Sequence, residues 1–184
     1  MDNKVIPKCQ YLTGIRLCRR NAKKLYLLGN EAFEKELYHS AYLLGFASLE
    51  ETGKALVILD YINHNHITYN QYKKKIKNHY LKIKKTMIAR NPNILEVFRI
   101  APREYVQPQL KKSEPRFIQL GEDMVDLRMD SIYIDYDFEN GKWKKPKSNM
   151  KLDAQQVLGE AYTAYNCFRN ECKHRGVRLR KSSK

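Results

Sequence analysis

The chain has 184 residues, of which 42% are hydrophobic and 30% are charged, so it is long enough to bury a core and too apolar for a disordered protein. Its 35 Lys and Arg residues against 20 Asp and Glu residues give a formal net charge of +15, which favours a polyanionic partner, either nucleic acid or an anionic membrane surface. No apolar run long enough to span a membrane and no signal-peptide core are found, so we expect a cytoplasmic protein that does not insert into the membrane.

Two helices are predicted in the first third of the chain. Residues 9–28 place apolar side chains at three- and four-residue spacings, and Gly29-Asn30 is typical of a helix stop and restart. Residues 31–63 form the second predicted helix. Its middle is apolar almost all round, which is typical of a helix covered on most sides. We therefore expect the second helix at the centre of the fold.

The third predicted helix, residues 68–89, is rich in lysine. Lysines of this helix suit the RNA backbone, although a solvated face would have the same composition. A fourth helix is predicted over residues 152–175, with Gly176 as its C-terminal cap residue. The RNA-binding candidates on these two helices are Lys73, Lys77, Lys82 and Arg175.

An irregular insert separates the third and fourth predicted helices. Residues 91–150 contain five of the six prolines and a turn signal at Asn140-Gly141, next to an alternating, strand-like pattern. The chain is thus predicted as one all-α domain, residues 1–184. We expect an antiparallel bundle of four to five main helices, a partly β-hairpin insert before the last helix, and a basic tail at residues 177–184.

The four cysteines do not form a metal-binding pattern. None of them makes a Cys-x-x-Cys pair, and the two on the last predicted helix are five residues apart, a poor spacing for chelation. We expect no metal and no cofactor. Free thiols are predicted at Cys9, Cys18, Cys167 and Cys172.

Three polar residues of the last predicted helix lie off its apolar seam. Arg169, Asn170 and His174 project away from the side occupied by Phe168, although Arg169 and His174 are about 140° apart around the helix axis. A guanidinium can neutralise a phosphate while an imidazole moves a proton, so this trio is a candidate for RNA cleavage without a metal. The alternative is a basic helix end with a surface histidine.

The second predicted helix carries an acidic pair with a lysine close behind it. Glu51 falls within an apolar stripe, where a carboxylate needs a partner or an altered pKa. Glu50 and Lys54 have the four-residue spacing of a helical ion pair. A supporting role at a site and a buried structural ion pair both fit this pattern.

These motifs resemble the HEPN superfamily, helical bundles whose last helix carries Arg, four to six residues, then His, often with Asn after the Arg. Arg169-Asn170-x-x-x-His174 has that form. The chain is similar to the abortive-infection AbiV branch, to which Glu50-Glu51-Thr52-Gly53-Lys54-Ala55 corresponds. His79, followed by Lys82, loosely matches that branch's third-helix histidine. The resemblance extends in order over about residues 20–176.

The resemblance implies a metal-independent endoribonuclease that acts as a homodimer with a composite active site. Arg169, Asn170 and His174 would be catalytic, with Glu50, Glu51, Lys54 and His79 as supporting candidates. The expected products are a 2′,3′-cyclic phosphate and a 5′-hydroxyl. Such a toxin requires restraint, so a phage-encoded trigger or an inhibitory partner is expected. The alternative is a catalytically inactive HEPN module that binds RNA or a protein in phage defence.

Overall fold

Five helices and one small sheet make up the part of the fold that the structure describes. The computed structural model describes residues 7–62, 69–90, 135–137, 142–144 and 150–179, and the predicted all-helical bundle is confirmed. The strands β1 (Asp135–Asp137) and β2 (Lys142–Lys144) pair antiparallel, with Asp135 opposite Lys144. Asn140-Gly141 and the remainder of the predicted insert lie outside the described residues. The helices are α1 (Lys8–Glu34), α2 (Tyr38–Ile62), α3 (Tyr69–Lys77), α4 (His79–Arg90) and α5 (Lys151–His174).

Helix α2 occupies the centre, because α1, α4 and α5 all pack against it. Phe46, Leu49 and Ile58 are each at most 2% exposed, which explains why the sequence of this helix is apolar almost all round. The buried Ser48 hydroxyl donates a hydrogen bond to the carbonyl of Ala22 at 2.9 Å. Its polar group is therefore satisfied inside the α1–α2 interface.

Helix α1 runs antiparallel to α2 and α5, whereas α2 and α5 run in the same direction. Gly45 and Val157 meet near the starts of α2 and α5, and Asp60 and Arg175 pair near their ends. Both helices therefore start at the same end of the bundle. As a result, the C-terminal ends of α2 and α5 lie at the same end of the molecule.

The helix stop predicted at Gly29-Asn30 is wrong. Helix α1 continues to Glu34, and the chain reverses two residues later at Glu36, which has a positive φ of 59°. Gly29 leaves room for a neighbour, because a Cβ atom there would lie 2.8 Å from the Cδ2 atom of Leu158. The glycine thus serves the packing of α5 on α1, which a local sequence pattern does not reveal.

The third predicted helix is two helices, α3 and α4, separated at Asn78. The Asn78 side-chain oxygen accepts a hydrogen bond from the backbone N–H of Leu81 at 3.0 Å. This is the bond that an N-cap asparagine makes to the third residue of a helix. Asn78 therefore starts α4 in a new direction.

The end of α5 agrees with the prediction. Gly176 has a φ of +66°, and the backbone N–H of Val177 donates to the carbonyl of Cys172 at 2.8 Å, while that of Gly176 donates to Lys173 at 3.1 Å. These two bonds define a Schellman motif, which favours glycine at the left-handed position. The motif fixes where the chain leaves the helix, directly after His174.

Gly53→Ala is expected to destabilise the protein by about 2 kcal/mol, as overpacking in a filled core does. A Cβ atom at Gly53 would lie 2.5 Å from the carbonyl carbon of Lys82 and 2.8 Å from its Cα atom, so the backbones of α2 and α4 would have to separate. Urea unfolding followed by circular dichroism measures the change.

Gly159→Ala is the matched control, since a Cβ atom there meets nothing within 4 Å. Replacing an exposed helical glycine by alanine should raise the free energy of unfolding by about 0.5–1 kcal/mol. Equal effects of the two substitutions would show that the α2–α4 contact does not depend on the missing side chain.

Candidate active site

The outer face of α5 carries the three residues predicted to be catalytic. Arg169, Asn170 and His174 are exposed, whereas Phe168 on the packing side of α5 is 0% exposed. No hydrogen bond or ion pair joins any of the three to another residue in the part of the chain that the structure describes. Their polar groups are therefore available to a ligand or to a second protein chain.

The charged residues beside them are held inward. The Nε atom of Arg175 donates to Glu171 at 2.7 Å, and a second guanidinium nitrogen lies 3.1 Å from Asp60. Burial opposes the charge of Arg175, but the hydrogen bonds and charges of Glu171 and Asp60 outweigh it and raise its pKa. The guanidinium of Arg175 thus ties α5 to α2, and the RNA-binding role expected for this exposed residue stays a prediction.

Arg169 and His174 flank the outer face on different sides. Tyr165 lies on the side of α5 that borders α1. Arg169 is one helical turn after Tyr165 and therefore lies toward the same side. His174 lies toward the side of α4, because it is about 20° around the axis from Cys167, a residue within the electrostatic reach of Arg90. Within one chain the two side chains therefore point about 140° apart around the helix axis. Extended side chains that diverge by this angle do not reach the same phosphate.

The acidic pair of the second helix makes two separate sets of contacts. Glu50 pairs with His79 and lies 3.6 Å from the ammonium of Lys82, both on α4. Glu51 pairs with Lys54 and is hydrogen bonded to the thiol of Cys18 on α1. Glu50 therefore connects α2 to α4, whereas Glu51 pairs within α2 and contacts α1.

Lys82 is a buried lysine, only 5% exposed. Burial lowers its pKa, the nearby Glu50 acts in the opposite direction, and Lys54 lowers it further. A lysine in this position neutralises Glu50 instead of contacting a ligand at the surface, so the predicted RNA contact of Lys82 does not agree with the structure. Lys73 and Lys77 on α3, by contrast, are exposed.

The two predicted clusters are not brought together within one chain. Around the axis of α2, Lys54 projects about 180° away from Gly45, and Gly45 packs against Val157 of α5. Glu50, Lys54 and their partners on α4 therefore lie on the side of α2 that faces away from α5. In this geometry the second-helix motif joins α1, α2 and α4, and Gly53 permits the close approach of α4.

A basic groove between α1 and α5 escaped the sequence-based prediction. Its volume is about 640 Å³, and it adjoins Arg169 through Tyr165. The spacing of the α1 cations at three and four residues would have identified one basic helix face, but only the fold shows that this face borders α5. The groove is lined by Arg19, Arg20, Lys23, Lys24, Leu27, Leu28 and Tyr165.

The cysteines are free thiols, as predicted. Burial raises the pKa of Cys18 and of Cys172 to about 12, which disfavours the thiolate that a nucleophile or metal ligand requires. Among the described residues, no three His, Cys, Asp or Glu side chains are grouped closely enough to hold a metal ion. None of the described helices has the length and apolarity needed to cross a membrane.

The arrangement of the helices is consistent with a HEPN-type helical bundle. The sequence profile of the HEPN_AbiV family, described as AbiV, matches residues 10–165, which is most of the chain. The chain therefore belongs to the AbiV family of HEPN domains. No curated protein and no solved structure matches it. The match ends four residues before Arg169, so the role of the Arg–His pair depends on the geometry and chemistry of α5.

Glu50→Gln should lower the free energy of unfolding by about 2–4 kcal/mol, because it leaves the buried ammonium of Lys82 without its carboxylate. Adding Lys82→Met removes that charge and should recover at least about 1 kcal/mol relative to Glu50→Gln alone. Urea unfolding of the wild type, both single variants and the double variant completes the cycle. Additive losses would contradict a coupled Glu50–Lys82 pair.

Proposed function

We propose that this protein is a metal-independent endoribonuclease and that Arg169, Asn170 and His174 form its catalytic set. One observation carries the proposal: these three polar groups stand exposed on α5, with no partner among the described residues, while Glu171 and Arg175 beside them pair inward. Membership of the AbiV family supports the same conclusion. An imidazole and a guanidinium are together sufficient for proton transfer and phosphate stabilisation.

The proposed reaction is attack by a ribose 2′-hydroxyl on the adjacent phosphorus. A base removes the hydroxyl proton, the new O2′–P bond forms, and the P–O5′ bond breaks while the leaving oxygen takes up a proton. His174 is the group that accepts or donates the proton, because histidine titrates near neutral pH. The products are a 2′,3′-cyclic phosphate and a 5′-hydroxyl.

Arg169 and Asn170 stabilise the phosphate in this scheme. A guanidinium presents a planar fork of donors to two phosphate oxygens and stays charged throughout the reaction. Asn170 is four residues before His174 and therefore its neighbour on the helix surface. Its amide orients the imidazole or donates to a phosphate oxygen.

A second copy of the chain completes the site. Arg169 and His174 diverge by about 140° within one chain, so an arginine from one protomer and a histidine from the other converge more readily than a pair from the same chain. We propose a homodimer in which the two outer faces of α5 meet. The composite site would then contain both Arg–His pairs.

The biological role that we propose is that of a cytoplasmic abortive-infection toxin. Cleavage of cellular RNA stops growth, so the enzyme requires restraint in the uninfected cell. A phage-encoded trigger or an inhibitory partner would supply that control. Family membership supports a role in abortive infection, and the catalytic activity is the part that the next two experiments test.

Purified protein should cleave total cellular RNA in the presence of EDTA and leave 2′,3′-cyclic phosphate ends. His174→Ala and Arg169→Ala should each reduce the cleavage rate at least about 100-fold, as expected for loss of a proton-transfer group or an oxyanion stabiliser. Gel electrophoresis and end-group analysis of the products provide the measurement.

Lys35→Ala is the control, because Lys35 is an exposed cation that follows α1 at the opposite end of the bundle from Arg169 and His174. Its exposed ion pair with Glu31 contributes little to stability, so the cleavage rate should change less than about threefold. Cleavage that persists in both catalytic variants would refute the assignment. Well-folded protein that never cleaves RNA, but binds it, would favour the inactive RNA-binding module.

Mixing the two inactive variants tests whether the site is shared between chains. In a heterodimer of Arg169→Ala and His174→Ala chains, the composite site would keep one of its two cross-chain pairs, the arginine of one chain and the histidine of the other. We expect co-refolded mixtures to recover about a quarter of the wild-type rate, since half of the dimers would be mixed and each would contain one working pair out of two. Mixtures as inactive as the separate variants would show that both groups act within one chain.

A further inference from the structure

One face of α1 carries a stripe of cations. Arg16, Arg20 and Lys24 follow one another at four-residue spacing, as do Arg19 and Lys23. All five fall within about 140° of one another around the helix axis. Residues Ile15, Cys18 and Ala22 on the other side of α1 are buried in the core, which fixes the stripe toward solvent and toward α5.

These cations lack acidic neighbours. Arg20, Lys23 and Lys24 are exposed, and no ion pair connects them to another residue within the described ranges. The Nε atom of Arg19 is buried without a hydrogen-bond acceptor. Like charges four residues apart destabilise a helix, and only Arg16 of these cations has a hydrogen-bond acceptor among the described residues, the carbonyl of Arg178 at 3.4 Å. A bound polyanion would balance these charges.

The groove beside this stripe contains an aromatic ring. Arg19, Arg20, Lys23 and Lys24 line one wall, and Tyr165 of α5 contributes to the other. Cations that follow a backbone, together with an aromatic surface for a base, are the combination by which proteins bind single-stranded nucleic acids. Duplex RNA offers no unstacked base to such a ring.

The groove leads to the candidate active site. Tyr165 precedes Arg169 by four residues, so the two side chains are neighbours one turn apart on α5. A strand that lies along α1 and reaches Tyr165 would therefore place its next phosphates near Arg169. The cations of the groove and the proposed phosphate-binding arginine thus lie on either side of Tyr165 in the path of such a strand.

We propose that this α1–α5 groove is the substrate-binding site for single-stranded RNA, with the α1 cations on the phosphates and Tyr165 as a stacking surface. This inference rests on the proposed function for its substrate class, but RNA binding is measured independently of cleavage. It assigns the main RNA contact to α1, where the sequence had indicated the lysines of α3. The same cations would also attract an anionic membrane, so binding to RNA and binding to lipid vesicles are measured separately.

The test is binding of a fluorescein-labelled 12-nucleotide oligo-uridine to full-length protein, measured by fluorescence anisotropy. All proteins carry His174→Ala so that the RNA stays intact. Arg20→Glu/Lys24→Glu is compared with Lys73→Glu/Lys77→Glu, which changes the net charge equally on the exposed face of α3. We expect the α1 variant to raise Kd at least about 10-fold and to reduce the salt slope of log Kd by about 1.4, the value for two lost phosphate contacts on a single strand. The α3 variant should raise Kd less than about threefold, as an effect of overall charge.

Tyr165 provides a second measurement. Tyr165→Leu should weaken binding of the single strand about 5-fold or more, while Tyr165→Phe, which keeps the ring, should bind as the parent does. A 12-base-pair RNA duplex should bind equally to all three. Circular dichroism and thermal melting check that each variant is folded.

Two outcomes would overturn the inference. Equal losses in the α1 and α3 variants would mean that only net charge matters. Unchanged RNA binding in the α1 variant, with lost binding to phosphatidylserine-containing vesicles, would assign the groove to a membrane surface. If the groove variants lose RNA binding but the wild type never cleaves in EDTA, the binding site stands and the nuclease proposal fails.

Discussion

The contact between Gly53 of α2 and the backbone of Lys82 on α4 fixes the arrangement of the whole bundle. Because no side chain separates the two helices there, α4 approaches close enough for Glu50 to reach the buried Lys82 ammonium and the His79 ring. The same approach aligns Asp60 with Lys85 of α4 and with Arg175 beyond α5. A buried charge is tolerated only with its partner in place, so the close packing and the ion pairs depend on each other.

This arrangement separates the structural charges from those available for chemistry. Asp60 and Glu171 hold Arg175 against the bundle, which fixes the end of α5 and its Schellman motif. Arg169, Asn170 and His174 project from the other side of the same two turns, free of partners among the described residues. Because these groups have no competing ion pairs there, their hydrogen-bonding capacity remains available to a phosphate or to a second protein chain.

The distribution of charge explains how such a site would attract its substrate. The net charge of +15 gives long-range attraction for any polyanion, and the proposed binding groove would direct a bound strand toward Tyr165, one turn before Arg169. Glu50 and Glu51 of α2, by contrast, are paired with Lys82 and Lys54. Their negative charge is therefore balanced within the protein.

The sequence by itself determined the helical class, the central position of α2, the end of α5 at Gly176 and the outward direction of Arg169, Asn170 and His174, because each follows from local periodicity or backbone preference. Only the tertiary structure decided what the glycines and charges do. Gly29 is a residue type that often ends a helix, but here it leaves space for the side chain of Leu158. Lys82 belongs to a lysine-rich segment, but it is buried against Glu50. The partners of such residues come from distant parts of the chain, and local spacing carries no information about them. For the same reason the α1 cations could be recognised as one helix face, whereas their position beside Tyr165 and Arg169 depends on how α1 packs against α5.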